Sequence, residues 1–345
     1  MTSASKLLGG AAGAAGGGLT VDQVFSTTVY TGTGSSQNIV NGLDMSGEGG
    51  LTWLKTRDNA GGGESALIDT ARGATKRLRS HSTDSEATEV NGLTAFTSTG
   101  FSLGNDSGYN YNTGTFCSWS FRKAPKFFDI QTWDGNGVAG REIAHNLDCE
   151  VGMILIKLLN VATRDWVVYH RGVDSSSPEN YFLSLNAAGA RQSDNDTEKQ
   201  FNNVAPTSNK FTLGNSSKVN GNYNNLGWKY VAYIFAHETG DDSIVQCGSY
   251  TGNGSSTGPV VDVGFQPQFI FYKCATATEN WEIIDSVRGV TTNGDDKVLR
   301  PNLSDAELNT QRVNFLSNGW QPKDSGGHIN GSGRTYIYIA IKAEG

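Results

Sequence analysis

One sequence pattern occurs three times in the 345 residues of the chain. In each copy an aromatic residue precedes a Gly-x-Gly turn, an apolar run ends in lysine, and an Arg-Gly pair follows. The second glycines of the turns, Gly34, Gly137 and Gly254, are 103 and 117 residues apart. Solenoid and propeller units of about 20 to 50 residues cannot bury their apolar faces alone, whereas a unit of this length can carry its own core. The period therefore predicts tandem domains.

The repeated landmarks set the boundaries of the predicted domains. The lysines and Arg-Gly pairs are Lys55, Lys157, Lys273, Arg72-Gly73, Arg171-Gly172 and Arg288-Gly289. We predict an N-terminal Gly/Ala-rich arm at 1–24, repeat 1 at 25–126, repeat 2 at 127–240 and repeat 3 at 241–345. The short junctions between the repeats predict either a semi-rigid rod or a compact cluster.

Strand signals dominate every repeat. Short apolar runs rich in β-forming residues follow Gly or Pro, and the closing segments 230–235 and 336–341 carry aromatic residues two apart. These patterns predict an all-β fold in which each repeat is an antiparallel β-sandwich. Helix is expected only as a turn or two, near residues 305–309. Long polar stretches at 79–91, 174–205 and 291–310 are expected to be functional or ordered by neighbouring subunits.

Composition excludes several classes of partner. The formal charge of −7 and the pI of about 5.3 leave the chain without a basic field for a nucleic-acid backbone. No segment has the roughly 18 to 20 apolar residues of a membrane span. The four cysteines form no CxxC pair and lie at no metal-ligand spacing from a histidine. We therefore predict free thiols, with a Cys247–Cys274 bridge as the alternative, and expect no metal and no cofactor.

The N-terminal arm resembles a secretion signal only superficially. Its apolar core is Leu7-Leu8, interrupted at once by Gly9-Gly10, so the continuous apolar stretch of a signal peptide is missing. A Gly/Ala tract has little side chain to bury and is expected to be flexible. The alternative is an ordered arm that docks on another subunit, and its candidate anchor is then Leu7, Leu8, Gly9 and Gly10.

The repeated Arg-Gly pair is a candidate site. An aspartate lies three residues before the arginine in repeats 1 and 3, whereas Val168 takes that offset in repeat 2. A planar guanidinium is well suited to hold carboxylates and carbonyls at a corner of the chain. We predict structural Asp–Arg corners, with a carbohydrate or anion site as the alternative. The corner residues are Asp69, Arg72, Gly73, Arg171, Gly172, Asp285, Arg288 and Gly289.

The Gly-x-Gly turns do not predict a nucleotide site. A dinucleotide fingerprint needs a helix after the glycines and a third glycine in register, and the next segment here is a strand or loop. The turns are therefore predicted to be tight turns that need a positive φ.

No catalytic constellation is visible, and we predict a non-enzymatic protein. None of the five histidines recurs at an equivalent point, and none completes a triad or zinc set. Glycoside hydrolysis needs only two carboxylates and stays open. Acidic clusters at 194–198 and 293–296 could bind calcium, although solvated loops are the favoured interpretation. Aromatic residues in Gly/Asn loops are candidate contacts to a sugar or another subunit, and core positions are an equal alternative: Tyr109, Tyr111, Tyr223 and Trp228.

The segments that carry the repeat also carry a family resemblance. Residues 42–55, 69–73, 96–104 and 118–125 resemble an uncharacterised family of virion proteins of marine tailed phages, including those of cyanobacteria. The resemblance continues through 145–147, 166–172 and 247–254 and covers nearly everything after Val24. It implies a structural or adsorption component of a phage particle, assembled in the host cytoplasm, and it carries over no catalytic residue.

Three functions are compatible with this resemblance. The first is a non-enzymatic tail fibre or host-adsorption appendage anchored by its N-terminal arm. The second is a capsid decoration or cement protein, and the third is a tailspike that degrades host polysaccharide. The expected partners are other virion subunits and a host surface glycan or receptor. A homo-oligomer is also expected, with a trimer favoured because closed symmetry would let the polar loops order against a neighbour.

Overall fold

A computed structural model describes residues 18–194, 197–222 and 227–344. Within these ranges the secondary structure is nearly all strand, so the predicted all-β fold is confirmed. All strand pairs between the named strands are antiparallel in the part of the chain described. The candidate anchor at Leu7, Leu8, Gly9 and Gly10 and the candidate contact Tyr223 lie outside the described residues.

Repeat 1 contains nine strands in two sheets. The strands are β1 (Phe25–Thr31), β2 (Gln37–Val40), β3 (Gly50–Thr56), β4 (Ser65–Asp69), β5 (Lys76–Arg79), β6 (Ala87–Thr88), β7 (Leu93–Thr97), β8 (Gly100–Leu103) and β9 (Thr115–Arg122). The main sheet has the order β1-β9-β3-β4-β5-β6, and a small outer sheet has the order β2-β8-β7. Short helical turns are Val21–Gln23, Ala60–Gly62 and α1 (Ser107–Asn110).

Repeat 2 follows the same plan with a shorter main sheet. Its strands are β10 (Phe128–Asp134), β11 (Arg141–Ala144), β12 (Glu150–Leu158), β13 (Val167–His170), β14 (Tyr181–Phe182), β15 (Gln192–Ser193), β16 (Lys210–Leu213) and β17 (Lys229–His237), with a 3-10 turn at Pro178–Asn180. The main sheet has the order β10-β17-β12-β13, and β11-β16 and β14-β15 form two-stranded sheets.

Repeat 3 closely matches repeat 1. Its strands are β18 (Val245–Thr251), β19 (Val261–Asp262), β20 (Pro267–Cys274), β21 (Glu282–Asp285), β22 (Asp296–Leu299), β23 (Leu308–Thr310), β24 (Val313–Leu316), β25 (Gly319–Pro322) and β26 (Thr335–Lys342). The main sheet has the order β18-β26-β20-β21-β22-β23 and the outer sheet β19-β25-β24. The helical turn predicted near 305–309 is wrong, because residues 308–310 pair with the edge of β22.

The main sheets are buried on both faces. Along β20, Phe269 and Phe271 belong to the largest core cluster, whereas Ile270 and Tyr272 pack in a separate cluster with the outer sheet. Successive side chains of a strand point to opposite faces. A strand covered on both faces therefore requires consecutive apolar residues, which explains the unbroken apolar runs of the sequence.

The inner faces of the three main sheets meet in one shared core. The Phe121 ring centroid lies 5.3 Å from that of Phe235 and 6.1 Å from that of Phe269, and Trp53 lies 5.6 Å from Phe271. The repeats thus form the compact cluster rather than the rod. Because the core is shared, independent folding of a single repeat stays a prediction.

The ring of repeats has two different ends, which we call the entry pole and the turn pole. At the entry pole the chain passes between main sheets, through residues 122–128 and 237–245, and residues 18–22 and 342–344 line one cleft there. The Gly-x-Gly turns follow β1, β10 and β18 at the other end of each main sheet and form the turn pole.

Candidate functional site

Both glycines of each Gly-x-Gly turn are required, for different reasons. The second glycine has a φ of 67 to 70° in all three turns, a conformation that side chains with a Cβ rarely adopt (Gly34, Gly137 and Gly254). A Cβ on the first glycine would lie 2.0 to 2.4 Å from a backbone carbonyl oxygen (Gly32, Gly135 and Gly252). The predicted tight turn with positive φ is confirmed.

One buried asparagine in each repeat holds the turn in place. Asn110 accepts a hydrogen bond from the Thr33 amide at 2.8 Å and donates to the Ser35 carbonyl at 2.5 Å. Asn220 and Asn330 hold the turns of repeats 2 and 3 through the same two types of bond. The three asparagines are spaced by 110 residues and are fully buried. Sequence reasoning missed them, although a search for identical residues at constant spacing finds them.

The corner of repeat 1 joins repeat 1 to repeat 2. Arg72 Nε donates to Asp69 Oδ2 at 2.5 Å, and the Tyr233 hydroxyl of repeat 2 donates to the same oxygen at 2.7 Å. Arg72 Nη2 also donates to the Leu67 carbonyl at 2.9 Å. Burial by itself lowers the pKa of Arg72, but Asp69, Tyr233 and Glu86 together outweigh it, and the pKa is raised. The guanidinium therefore stays charged inside the junction.

The corner of repeat 3 repeats this geometry against repeat 1. Arg288 Nε donates to Asp285 Oδ2 at 2.6 Å, and Trp119 Nε1 of repeat 1 donates to the same oxygen at 3.0 Å. The Arg288 guanidinium carbon also lies 5.3 Å from the Trp119 ring centroid, and Nη1 donates to Glu307 at 3.2 Å. The predicted Asp–Arg pairs are thus formed, and both aspartates face a donor from another repeat.

The corner of repeat 2 uses a neutral histidine. His170 takes the strand position of the two aspartates, because each of the three residues pairs with the residue four before its repeated lysine. His170 Nδ1 accepts from the Gly172 amide at 3.0 Å, so Nε2 donates to the Tyr338 carbonyl of repeat 3 at 3.0 Å. Burial lowers the pKa of His170 to about 3. The equivalent of the aspartates is therefore His170, and the offset that pointed to Val168 is wrong because this corner is two residues shorter.

The arginine of this corner lies at the surface. Arg171 is 31% exposed and donates to Glu150 at 2.8 Å, whereas the Arg72 and Arg288 side chains are 3% and 0% exposed. Gly73 and Gly289 have φ values of 110 and 125°, which glycine adopts readily, whereas Gly172 is not among the positive-φ residues described. A Cβ on Gly172 would instead lie 3.0 Å from the backbone of repeat 3.

The residue that faces each corner explains the choice between aspartate and histidine. The closing strands β9, β17 and β26 carry Trp119, Tyr233 and Ile339 at the same position. Each of these residues pairs with the residue that lies two before the repeated lysine of its own repeat. Trp and Tyr each donate a side-chain hydrogen bond to the facing aspartate, whereas Ile has no donor. A buried carboxylate without donors is costly, and a neutral histidine that donates to a backbone carbonyl avoids that cost.

The repeated lysines complete the junctions. Each ammonium donates to a backbone carbonyl of a neighbouring repeat at 2.8 to 3.1 Å: Lys55 to Leu303, Lys157 to Thr83 and Lys273 to Ala188. Burial lowers the pKa of all three to about 8. Repeat 1 reaches repeat 3, repeat 2 reaches repeat 1 and repeat 3 reaches repeat 2, so the ring closes within one chain.

The candidate aromatic contacts have different environments. Tyr109 is 2% exposed and packs in the core cluster under the outer sheet of repeat 1, so it is a core residue and not a ligand contact. Tyr111 is 49% exposed. Trp228 is 6% exposed and lines a cleft of repeat 2 at the turn pole.

This cleft, which we call the Trp228 cleft, has a volume of about 460 Å³. Its lining residues are Gly137, Arg164, Glu198, Asn215, Ser217, Gly221, Asn222 and Trp228. The Arg164 guanidinium carbon lies 5.9 Å from the Trp228 ring centroid, and a Cβ on Gly221 would lie 2.8 Å from a ring carbon. The buried indole therefore offers no open face on which a sugar could stack.

The other chemical candidates resolve as structural groups. In the described ranges no group of three or more His, Cys, Asp or Glu side chains is placed to hold a metal. Asp296 is buried and accepts from three backbone amides and from Lys323 Nζ. Residues 195–196 of the other acidic cluster lie outside the description. All four cysteines are buried free thiols, so the free-thiol prediction is confirmed and the alternative bridge between Cys247 and Cys274 is not formed.

Comparisons with known proteins assign the chain to a family. No helix of the described segments is long and apolar enough to cross a membrane. No curated protein matches the sequence. A family model described as a domain of unknown function matches residues 21–344, which is nearly the whole described ring. The chain therefore belongs to the DUF7483 family.

Proposed function

We propose that the protein is a non-enzymatic virion protein of a tailed phage, most specifically a tail fibre or host-adsorption appendage that is attached at its entry pole and presents its turn pole. The resemblance to phage virion proteins supports the virion assignment. The single structural observation that carries the appendage role is the separation of the two poles.

The two poles have different chemistry. Residues that flank the ring, 18–22 and 342–344, line one cleft at the entry pole. The turn pole exposes three turns without a charged residue, at 33–36, 136–140 and 253–257. Attachment through the entry pole leaves these turns free to contact a host surface.

The buried charges support a mechanical role. The corner aspartates, the corner arginines and the repeated lysines all form contacts at the junctions between repeats, and Arg171 does so through a hydrogen bond of 3.3 Å to the Cys247 carbonyl of repeat 3. Breaking one partner of a buried, hydrogen-bonded charge pair is strongly destabilising. Charges placed in this way hold the three repeats in fixed relative positions, which suits a load-bearing appendage.

Competition for adsorption tests this proposal. Purified protein added in excess to host cells is expected to reduce the fraction of phage that adsorbs. Circular dichroism and a cooperative melting transition confirm the folded state of the added protein. Folded protein that leaves adsorption unchanged would contradict the host-binding role.

A capsid decoration protein is the second candidate. It is favoured by the closure of three similar units into a ring within one chain, because such a ring presents related surfaces around one axis and suits a threefold position on a shell. Heads that carry the protein should then rupture at a higher temperature than heads that lack it, whereas a fibre should leave this temperature unchanged. The homotrimer stays a prediction, and mass measurement in solution tests it.

A further inference from the structure

We propose that the Trp228 cleft is a binding site for a carboxylated sugar, such as a uronic acid residue of a surface glycan. The inference rests on the proposed host-attachment function and assigns its ligand class.

The position of Trp228 is occupied differently in each repeat. The carbonyls of Trp228, Gly114 and Arg334 each accept a hydrogen bond from the first glycine of the Gly-x-Gly turn, so these residues are equivalent. The carbonyls of Arg164 and Glu279 each accept from the repeated lysine and are equivalent in the same way. In repeat 3 this pair of positions holds an ion pair, from Arg334 to Glu279, at 2.8 Å.

In repeat 2 these two positions hold an arginine and no acidic residue. Arg164 stands where repeat 3 has the glutamate, and Trp228 stands where it has the arginine. Among the described residues Arg164 forms no ion pair, and its one side-chain hydrogen bond is a long contact of 3.5 Å from Nη1 to Thr163. An arginine that lacks its carboxylate partner favours a ligand that brings one.

Two residues of the cleft each carry a buried donor without an acceptor. Arg164 Nε and Trp228 Nε1 are buried, and neither has a hydrogen-bond partner among the described residues. A buried N–H without an acceptor is unfavourable, and Trp228 as a whole is more than nine-tenths buried. Each atom lacks an acceptor oxygen, and a carboxylate is a strong acceptor for N–H donors.

The rest of the lining suits a sugar ring. The side chain of Ser217 provides a hydroxyl group that can pair with a sugar hydroxyl. The volume of about 460 Å³ falls within the usual range of small-molecule sites. Stacking on the indole ring is not expected, because Trp228 is only 6% exposed.

The test is a titration observed at the indole N–H of Trp228 by nitrogen-15 NMR, with Trp228→Phe used to assign the signal. Galacturonic acid is expected to shift this signal saturably, and galactose, the neutral sugar of the same ring, is expected to bind at least about tenfold more weakly. Arg164→Gln should weaken galacturonic acid binding by about tenfold or more, because hydrogen bonds to charged groups are the stronger ones. The matched control is Arg334→Gln in repeat 3, which should leave the affinity unchanged.

Several outcomes would overturn the site. They are the absence of a shift with galacturonic acid, equal affinity for galactose, and an unchanged affinity in Arg164→Gln. The proposed function fails separately. If Arg164→Gln competes for adsorption as well as the natural protein does, host attachment stands and this site falls. If galacturonic acid binds as expected but the protein does not compete, the site stands and host attachment falls.

Discussion

The corners of repeats 1 and 3 and the corner of repeat 2 occupy the same place in the ring but use different chemistry. In repeats 1 and 3 a buried Asp–Arg pair meets an indole or phenol donor of another repeat. In repeat 2 a neutral histidine meets a backbone carbonyl, and the arginine lies at the surface. A buried charge is thus kept only where the facing side chain can stabilise it, so the junction as a unit determines each residue.

Removing a corner aspartate should have the largest effect. Asp285→Ala leaves Arg288 fully buried without its closest carboxylate, and we expect the free energy of unfolding to fall by about 3 to 5 kcal/mol. Urea denaturation measures this change. The matched control is Asp134→Ala, whose carboxylate is 67% exposed and which should change stability by less than about 0.5 kcal/mol. Similar losses in the two variants would contradict the structural role of the corner.

Acid should distinguish the repeat 2 junction from the other two. The folded protein holds the pKa of His170 at about 3, below its unfolded value of about 6.5. The unfolded chain therefore binds the extra proton between these values, and this contribution to stability, complete above pH 6.5 or so, is lost as the pH falls.

His170→Gln isolates that contribution. Gln keeps a donor for the Tyr338 carbonyl but does not titrate. Urea unfolding is measured from pH 7 to pH 4 in both proteins. As the pH falls, the natural protein should lose stability more steeply than His170→Gln, by up to about 1.4 kcal/mol for each pH unit. If the two proteins lose stability in parallel as the pH falls, the buried neutral His170 does not contribute the expected pH-dependent stability.

The facing donor should have a smaller effect than the aspartate. Tyr233→Phe removes a hydroxyl that donates to Asp69 at 2.7 Å and accepts from Arg72 at 3.0 Å, and we expect a loss of about 1 to 3 kcal/mol. Thermal or urea unfolding provides the value. Tyr111→Phe at the exposed turn pole is the control and should not change stability. An equal loss in this control would mean that the loss in Tyr233→Phe does not come from its hydrogen bonds at the junction.

The surface arginine should matter least. Arg171 and its partner Glu150 are 31% and 54% exposed, so Arg171→Ala is expected to cost less than about 1 kcal/mol. The Arg72 side chain is only 3% exposed, and Arg72→Ala should lower the free energy of unfolding several times as much in the same urea assay. Equal losses of unfolding free energy would mean that the buried and the surface arginine contribute equally to stability.

Much of the local structure was predictable from the sequence. The Gly-x-Gly turns, the lysines at strand ends and the Arg-Gly corners were all visible because turn and strand chemistry repeats at recognisable positions. The buried asparagines of the turns were missed because a lone Asn carries no local pattern that separates a buried clamp from a solvated loop. Of the candidate site, the sequence provided Trp228 but not Arg164, which becomes notable only when its position is compared with the Arg334–Glu279 pair.

The sequence by itself determined the threefold repeat, the all-β fold and the places where backbone conformation requires glycine, because these follow from period and local chain chemistry. The tertiary structure alone decided which residues face each other. Tyr233 and Asp69 are 164 residues apart in sequence and 2.7 Å apart in the fold, and Ile339 at the equivalent position makes a histidine the better partner. Such pairings depend on how three sheets pack around one core, and the periodicity of a single strand contains no record of that packing.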